Sequence, residues 1–296
     1  MPAYVIAGIT GHVGSVVAAE LLAHGETIKA VVRNGSRGAI WRDRGAEIAV
    51  GSLGDRAFLG KALAGAAGSF VLLPPNASET GDYFAAQRRT SDAIAGAVKD
   101  SHVPHVVMLS SLGAELAEGT GPIKTLHYLE NALRATSTEL TAIRASYFQE
   151  NIETIIPAAR ETGIYPNFLP SADMAIPMVA TRDIGRLAAT LLKSPPPRGE
   201  IVDLVGPMYS ARQLAEKLGA ALGKPLQVVD IPATGQVEAM MQAGLPRAIA
   251  EIYAEMNRAI GSGLITAKGD RTVSGTTTID DVLSGLLAGE VARAAR

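Results

Sequence analysis

Residues 4–14 read YVIAGITGHVG. Tyr4–Ala7 is a short apolar run of strand-forming residues, and Gly8, Gly11 and Gly14 follow it directly. After Gly14 the chain continues SVVAAELLA to residue 23, with the apolar spacing of a helix. A strand that turns through spaced glycines into a helix is the opening unit of a dinucleotide-binding α/β fold. Each glycine has a separate task there. Gly8 permits the sharp exit from the strand, Gly11 lets a diphosphate approach the backbone, and Gly14 lets the helix pack closely on the turn. The free N–H groups and positive dipole end of the helix then face the phosphates. Thr10 and His12 are placed to add side-chain contacts, and Val13 to add its backbone.

The same alternation continues along the first half. Further strands are expected at Ile28–Val32, Ala46–Val50, Ser69–Leu73, Val103–Leu109 and Leu140–Arg144. The helices between them are expected at about Val13–Ala23, Ile40–Arg44, Ala57–Ala64, Asp82–Lys99 and Thr125–Ala135. Strands apolar on both faces, separated by helices, predict a parallel doubly wound sheet. A closed eight-fold barrel would need the alternation to persist to the end, and it fades after about residue 150. One more clear strand is expected at Glu200–Val205. Helices are expected over Ile152–Arg160, Ala211–Ala221, Gln236–Gln242, Arg247–Ile260 and Asp280–Leu287. Ser210 with Gln213, and Thr278 with Asp281, have the spacing of helix-capping pairs. The expected organisation is a Rossmann domain over 1–150, its sheet completed by 200–205, and a smaller, mostly helical lobe over 151–296.

The chain has 296 residues, 27 basic and 29 acidic side chains and a formal net charge of −2. That balance gives no electrostatic footprint for nucleic acid and no basic anchor for a membrane surface. The absence of cysteine excludes a disulfide scaffold, a thiolate nucleophile, an iron–sulfur cluster and a cysteine zinc site. It also fits a reducing, cytoplasmic setting. No run approaches the roughly 18 apolar residues of a spanning helix, and the N-terminus lacks the pattern of a signal peptide.

The second strand indicates which dinucleotide is bound. Readers of NAD place an acid near its end, on the ribose 2′-hydroxyl. No acid lies between Glu26 and Asp43, and Arg33 stands 19 residues past Gly14. A guanidinium there suits a 2′-phosphate and can lie flat on adenine. Arg33 and Arg37 are thus candidate readers of NADP(H), preferred over NAD(H), the alternative being solvated loop charges. Other strand ends should line the same crevice. These supply Ser52 by the adenine and Leu73, Pro74 and Pro75 along the cofactor. Ser110 and Ser111 lie near the nicotinamide, either holding ligand or only turning the chain.

With these residues in view, the chain resembles the NmrA-like branch of the atypical short-chain dehydrogenase/reductases. The resemblance rests on GITGHVG at 8–14, VVRN at 31–34, His127 and Glu130 before ALRA, and TAIRASYFQENI at 141–152, supported by YAEMNRAIGSG at 253–263 and GTTTIDDVL at 275–283. It implies a Rossmann domain binding NADP(H), with a small lobe closing over the nicotinamide. Members of the branch include quinone, azo-dye and triphenylmethane-dye reductases, isoflavone-type reductases, and redox-sensing regulators that bind the dinucleotide without known turnover. Many short-chain dehydrogenases use Tyr-x-x-x-Lys. No tyrosine here has lysine four residues later, and Lys124 alone lies near the helix that carries a lysine in isoflavone-type reductases.

Without that acid/base pair, the chemistry expected is direct hydride transfer to a small aromatic acceptor of quinone, azo or dye type, with no flavin and no metal. His127 and Tyr147 are the candidate catalytic residues, and Ser111 and Phe148 the candidate substrate contacts. His127 could donate to a reduced oxygen or simply pack on the sheet. Asn151 could bond the nicotinamide amide or cap the next helix. The alternative function is an NADP(H)-binding redox sensor. Either leaves room for a homodimer.

Overall fold

A computed structural model describes residues 3–76, 79 and 81–294. In chain order the elements are β1 (Tyr4–Ala7), α1 (His12–Ala23), β2 (Ile28–Val32), α2 (Ala39–Arg42), β3 (Glu47–Val50), α3 (Arg56–Leu63), β4 (Gly68–Leu72), α4 (Tyr83–Ser101), β5 (His105–Ser111), α5 (Ile123–Arg134) and β6 (Glu139–Ala145). There follow β7 (Tyr147–Phe148), α6 (Ile156–Thr162), β8 (Ile164–Asn167), β9 (Ile176–Val179), α7 (Thr181–Lys193), β10 (Glu200–Val205), β11 (Met208–Tyr209), α8 (Ala211–Leu222), β12 (Gln227–Asp230), α9 (Gln236–Gln242), α10 (Arg247–Gly261), β13 (Arg271–Ser274) and α11 (Ile279–Ala294).

Eight strands form one sheet in the order β13-β10-β6-β5-β4-β1-β2-β3, every pair parallel. The strand order reverses beside β1, which pairs with β2 on one edge and β4 on the other. A crevice at the carboxyl ends of the strands is the expected ligand position in such a sheet. Successive side chains go to opposite faces. Ile6 and Val32 enter the core beneath α1 and α7, while Val5 and Val31 enter the core beneath α3, α4 and α5. Burial on both faces is why these strands read as continuous apolar runs.

The second half departs from expectation in several short strands, β7, β8, β9, β11 and β12, and in three larger features. Helix α7 was not anticipated. It packs so closely on α1 that a Cβ on Gly185 would stand 2.5 Å from Val16 Cβ. Its cap comes from afar: the Glu150 carboxylate accepts from Thr181 N at 2.9 Å and from Thr181 Oγ1 at 2.7 Å. The edge strand β13 has no apolar run, and its Arg271 pairs with Glu200 of β10 at 2.8 Å. The helix expected over 152–160 is instead a 3-10 turn, Gln149–Thr154, followed by α6 with Pro157 in its first turn. Proline there lacks an N–H and its ring would strike the carbonyl one turn back, so a continuous helix cannot form. A third core cluster, including Ile152, Ile156, Tyr165, Leu214, Leu218 and Ile279, holds this lobe together. The capping box of Ser210 and Gln213 forms as expected, as does the reciprocal pair of Thr278 and Asp281.

Candidate functional site

The turn between β1 and α1 has a separate reason for each glycine. Gly8 has φ +68°, the left-handed region, and a Cβ there would lie 2.6 Å from Leu72 Cδ2. A Cβ on Gly14 would run into the Gly8 carbonyl. At Gly11 the situation is different: the nearest atom to an added Cβ is Gly8 O at 3.4 Å, with open space otherwise. Gly11 is the N-cap of α1, with no capping side chain and no acid in the first turn. The helix therefore presents unmet backbone N–H groups and a positive end to whatever enters. Val13 is buried in the core, so only its backbone is available to a ligand. Thr10 and His12 are exposed. His12 Nε2 lies 3.1 Å from Glu153 Oε2, a contact from the turn to the lobe.

Arg33 and Arg37 follow β2. Both are exposed, and neither side chain has a hydrogen-bond or ionic partner among the described residues. Asn34 Oδ1 accepts from Ser36 N at 3.0 Å and from Ser36 Oγ at 2.9 Å, fixing the 3-10 turn that carries Arg37. Arg37 then lines an open cleft of about 360 Å³ with Ile9, Thr10, Ser15, Ile40 and Trp41. Trp41 is the single tryptophan of the chain, with the Arg44 guanidinium 4.7 Å from its ring centre. Ser52 is exposed, and its Oγ accepts from Gly54 N, while Asp55 caps α3.

At the other end of the crevice, Pro74 and Pro75 are exposed and Leu73 is buried behind them. Gln87 Nε2 donates to Pro74 O at 3.0 Å and to the Tyr83 hydroxyl at 3.3 Å. Ser110 is buried, and its Oγ donates to Glu130 Oε1 at 2.6 Å. That hydroxyl faces α5 and not the crevice. Arg144 grips the same carboxylate, Nε to Oε1 at 3.0 Å and Nη2 to Oε2 at 2.8 Å. Desolvation works against the Arg144 charge, but the bonds and field of Glu130 outweigh it and hold the guanidinium above its ordinary pKa. Ser111 Oγ donates to Leu112 O.

His127 has both ring nitrogens occupied. Nδ1 lies 2.8 Å from the Ala114 carbonyl, which can only accept, and Nε2 lies 2.9 Å from the Asn131 amide nitrogen. The consistent tautomer is neutral with the proton on Nδ1, so the ring ties a loop to a helix. Tyr147 is half-buried. Burial raises its pKa, and the Asn151 side chain acts in the opposite direction. Asn151 does not cap α6, whose N-cap is Ile155. Phe148 packs against the core beneath α1 and α7.

Two further phenols reach this region without a local signal in the sequence. Burial raises the pKa of Tyr253 on α10, with smaller contributions from the fields of Tyr83 and Tyr147. Lys124 Nζ sits 3.7 Å over the Phe84 ring centre, and Phe84 stands edge-on to Tyr83. Among the described residues no helix is long and apolar enough to cross a membrane, and no group of three His, Cys, Asp or Glu side chains could hold a metal ion.

Residues 4–278 match the NmrA-like family. The chain belongs to that family. An NAD(P)H azoreductase of Xenophilus azovorans is 26% identical over 255 residues, 85% of each protein. Quinone oxidoreductase 2 of Escherichia coli K12 is 25% identical over 261 residues, 87% of this chain and 88% of that protein. Among solved structures, the Citrobacter sp. triphenylmethane reductase complexed with NADP(H) superposes with a TM-score of 0.80. It is 22% identical and covers 96% of this chain and 99% of its own. The eight-stranded sheet with helices on both faces and a helical C-terminal region is thus the NmrA-like fold.

Proposed function

We propose that this protein is an NADPH-dependent reductase that delivers hydride directly to a quinone-, azo- or dye-like aromatic acceptor. One observation carries the coenzyme assignment. Two arginines without partners stand at the end of β2, beside a helix N-terminus with clear space at Gly11. Unpaired cations at an uncapped helix end suit an anionic ligand, and no acid follows β2 to hold a bare ribose. Gly8, Gly11 and the α1 backbone would hold the diphosphate, with Thr10 and His12 beside it. Arg33, Arg37 and Ser52 would hold the adenosine end, and Leu73, Pro74, Pro75 and Asn151 the nicotinamide end. When bound, the coenzyme supplies the hydride. The printed names of the azoreductase and the quinone oxidoreductase support the acceptor class.

The chain's own part is positioning. Tyr147, a phenol protonated at neutral pH whose pKa burial raises further, can donate a hydrogen bond to an acceptor oxygen or nitrogen. Ser111, Phe148 and the aromatic neighbourhood of Tyr83 and Tyr253 would wall the acceptor. His127 acts through the loop it holds. Reduction of a quinone takes one hydride and one proton, and the proton comes from solvent. The coenzyme half would be residues 1–150 with β10, and the lobe over 151–296 would set acceptor choice. A cytoplasmic setting and a small-molecule partner follow from this reading.

The test is NADPH oxidation followed by absorbance with a panel of naphthoquinones, benzoquinones and azo dyes. Multiple turnover with one class is expected. Tight NADPH binding with no turnover across the panel would favour a second reading, a redox sensor. That reading draws on the engagement of Ser110 and both His127 nitrogens inside the protein.

A further inference from the structure

Arg144 holds more than its partner on α5. Its side chain is 5% exposed and that of Glu130 only 1%. The fork between them already satisfies two of the guanidinium nitrogens. The third, Nη1, donates to Glu115 Oε2 at 3.1 Å, and the Glu115 side chain is 25% exposed. Glu115 lies in the loop over 112–122, which leaves the carboxyl end of β5. Arg144 lies opposite Ser110 and Asp203 on the neighbouring strands, one residue below the end of β6. A buried polar band therefore crosses the sheet directly beneath the crevice, and Glu115 is its outermost member.

The loop is fixed from both sides. Ala114 O takes the His127 bond, and the next residue takes the Arg144 bond. On the far side, a Cβ on Gly121 would strike Ile252 O of α10, and one on Gly113 would lie 3.1 Å from Ile265 Cγ1. Gly113, Gly119 and Gly121 all have positive φ, and the loop's own bonds are isolated turns such as Ala114 N to Ser111 O and Leu116 N to Gly113 O, both 3.1 Å. A segment so rich in left-handed glycines keeps one shape only if something outside it holds it. A partly exposed carboxylate on a buried guanidinium is such a holder, because removing it leaves Arg144 paired with Glu130 while the loop keeps the His127 bond and loses this tether.

We propose that Glu115, through Arg144, is a positioning residue that fixes the loop over 112–122 as the wall of the acceptor site, setting acceptor affinity and leaving coenzyme affinity alone. This rests on the reductase reading, but the tether itself can be tested without turnover. Glu115→Ala and Glu115→Gln would be compared with the wild-type chain in three measurements. These are hydrogen exchange of the amides over 113–121, NADPH binding by energy transfer from Trp41, and KM and kcat with menadione. In Glu115→Ala, exchange over 113–116 should rise on the order of tenfold while β1 and β4 amides stay protected. NADPH affinity should stay within about twofold and KM for menadione should rise about fivefold with little change in kcat. Glu115→Gln, whose amide oxygen still accepts from Arg144, should recover most of both effects.

Unchanged loop exchange in Glu115→Ala overturns the tether. Faster exchange throughout the sheet also overturns it, since the residue would then be acting on global stability. A loosened loop with unchanged KM overturns the link to the acceptor. If the wild-type chain oxidises no NADPH with any quinone, the reductase reading fails and the proposed role at the acceptor site fails with it. The exchange data then still decide whether Glu115 holds the loop.

Discussion

The two ends of the crevice are built on opposite principles. At the β1–β2 end the polar groups are left without protein partners: the first N–H groups of α1, Arg33 and Arg37. At the β5–β6 end nearly every polar group is already bonded to another. Ser110, Arg134 and Arg144 all converge on Glu130, and His127 lies between Ala114 and Asn131. An unpaired cation at a surface costs little to leave in water and is ready for an anion. A buried charge must be matched on the spot. On the proposed reading, the open end recognises the charged coenzyme and the closed end holds a shape against which an uncharged acceptor can lie.

The contrast predicts where substitutions will register. The largest effect should come from the closed end. Arg144→Leu leaves the Glu130 carboxylate buried with only Ser110 and the half-exposed Arg134, and breaking a buried pair in this way costs about 3–5 kcal/mol. Urea unfolding should show a loss of that size. A loss below about 1 kcal/mol would mean that water reaches Glu130 and that the end is not closed.

Next come the glycines of the open end, which separate folding from binding. Gly14→Ala places a Cβ against the Gly8 carbonyl, so stability should drop by about 1–3 kcal/mol and NADPH binding should be lost with it. Gly11→Ala meets nothing in the free chain closer than 3.4 Å. Its stability should change by no more than about 1 kcal/mol, the ordinary difference between glycine and alanine at an N-cap. Its NADPH affinity should nevertheless fall by two orders of magnitude or so, because the diphosphate needs that space. Equal binding by Gly11→Ala and wild type would remove the diphosphate from this turn.

Smaller still is the cost of either free arginine. Arg33→Ala or Arg37→Ala should weaken NADPH by about 1.5–3 kcal/mol, the range for a hydrogen bond to a charged group, and weaken NADH far less. Stability should not move, since neither side chain has a protein partner among the described residues. Trp41 lines the same cleft as Arg37, so energy transfer from the one tryptophan to the reduced coenzyme reads the affinity directly. Equal losses for both coenzymes would mean that the arginines stack on adenine and do not read the 2′-phosphate.

The same division marks what could be read in the sequence. The strands at 4–7, 28–32 and 200–205 have the expected bounds, and the two capping pairs form. These are signals carried within a few neighbouring residues. The glycine spacing is of that kind too, as is the absence of an acid after β2. What could not be read depends on partners far along the chain. Helix α7 is capped by Glu150, 31 residues before Thr181, and Ser110 faces a carboxylate 20 residues away. Glu115 meets Arg144 across 29 residues, and Glu153 meets His12 across 141. Strands β8 and β12 pair only with each other, and neither has an alternating or wholly apolar run. Ser110 illustrates the limit. The end of a strand was legible, but which face its side chain takes depended on an acid in a helix still to come.

The last test, of the buried phenols and the lobe core, is alkaline titration. Tyr4, Tyr83, Tyr147, Tyr165 and Tyr253 all have raised pKa values, with burial the first cause in each. Four of the five lie in α4, β7, β8 and α10. A phenol with a higher pKa folded than unfolded binds its proton more tightly in the native state. Its contribution is complete below the unfolded value near 10 and is lost as pH rises toward the folded value. These phenols should therefore leave the urea midpoint unaffected from neutral pH to about 10 and lower it above. Tyr165→Phe should flatten the alkaline limb, because Tyr165 is buried in the lobe core and burial pushes its phenol far above the ordinary value. If the limb is the same in Tyr165→Phe, the Tyr165 phenol reaches water in the native state and the lobe core is not sealed around it.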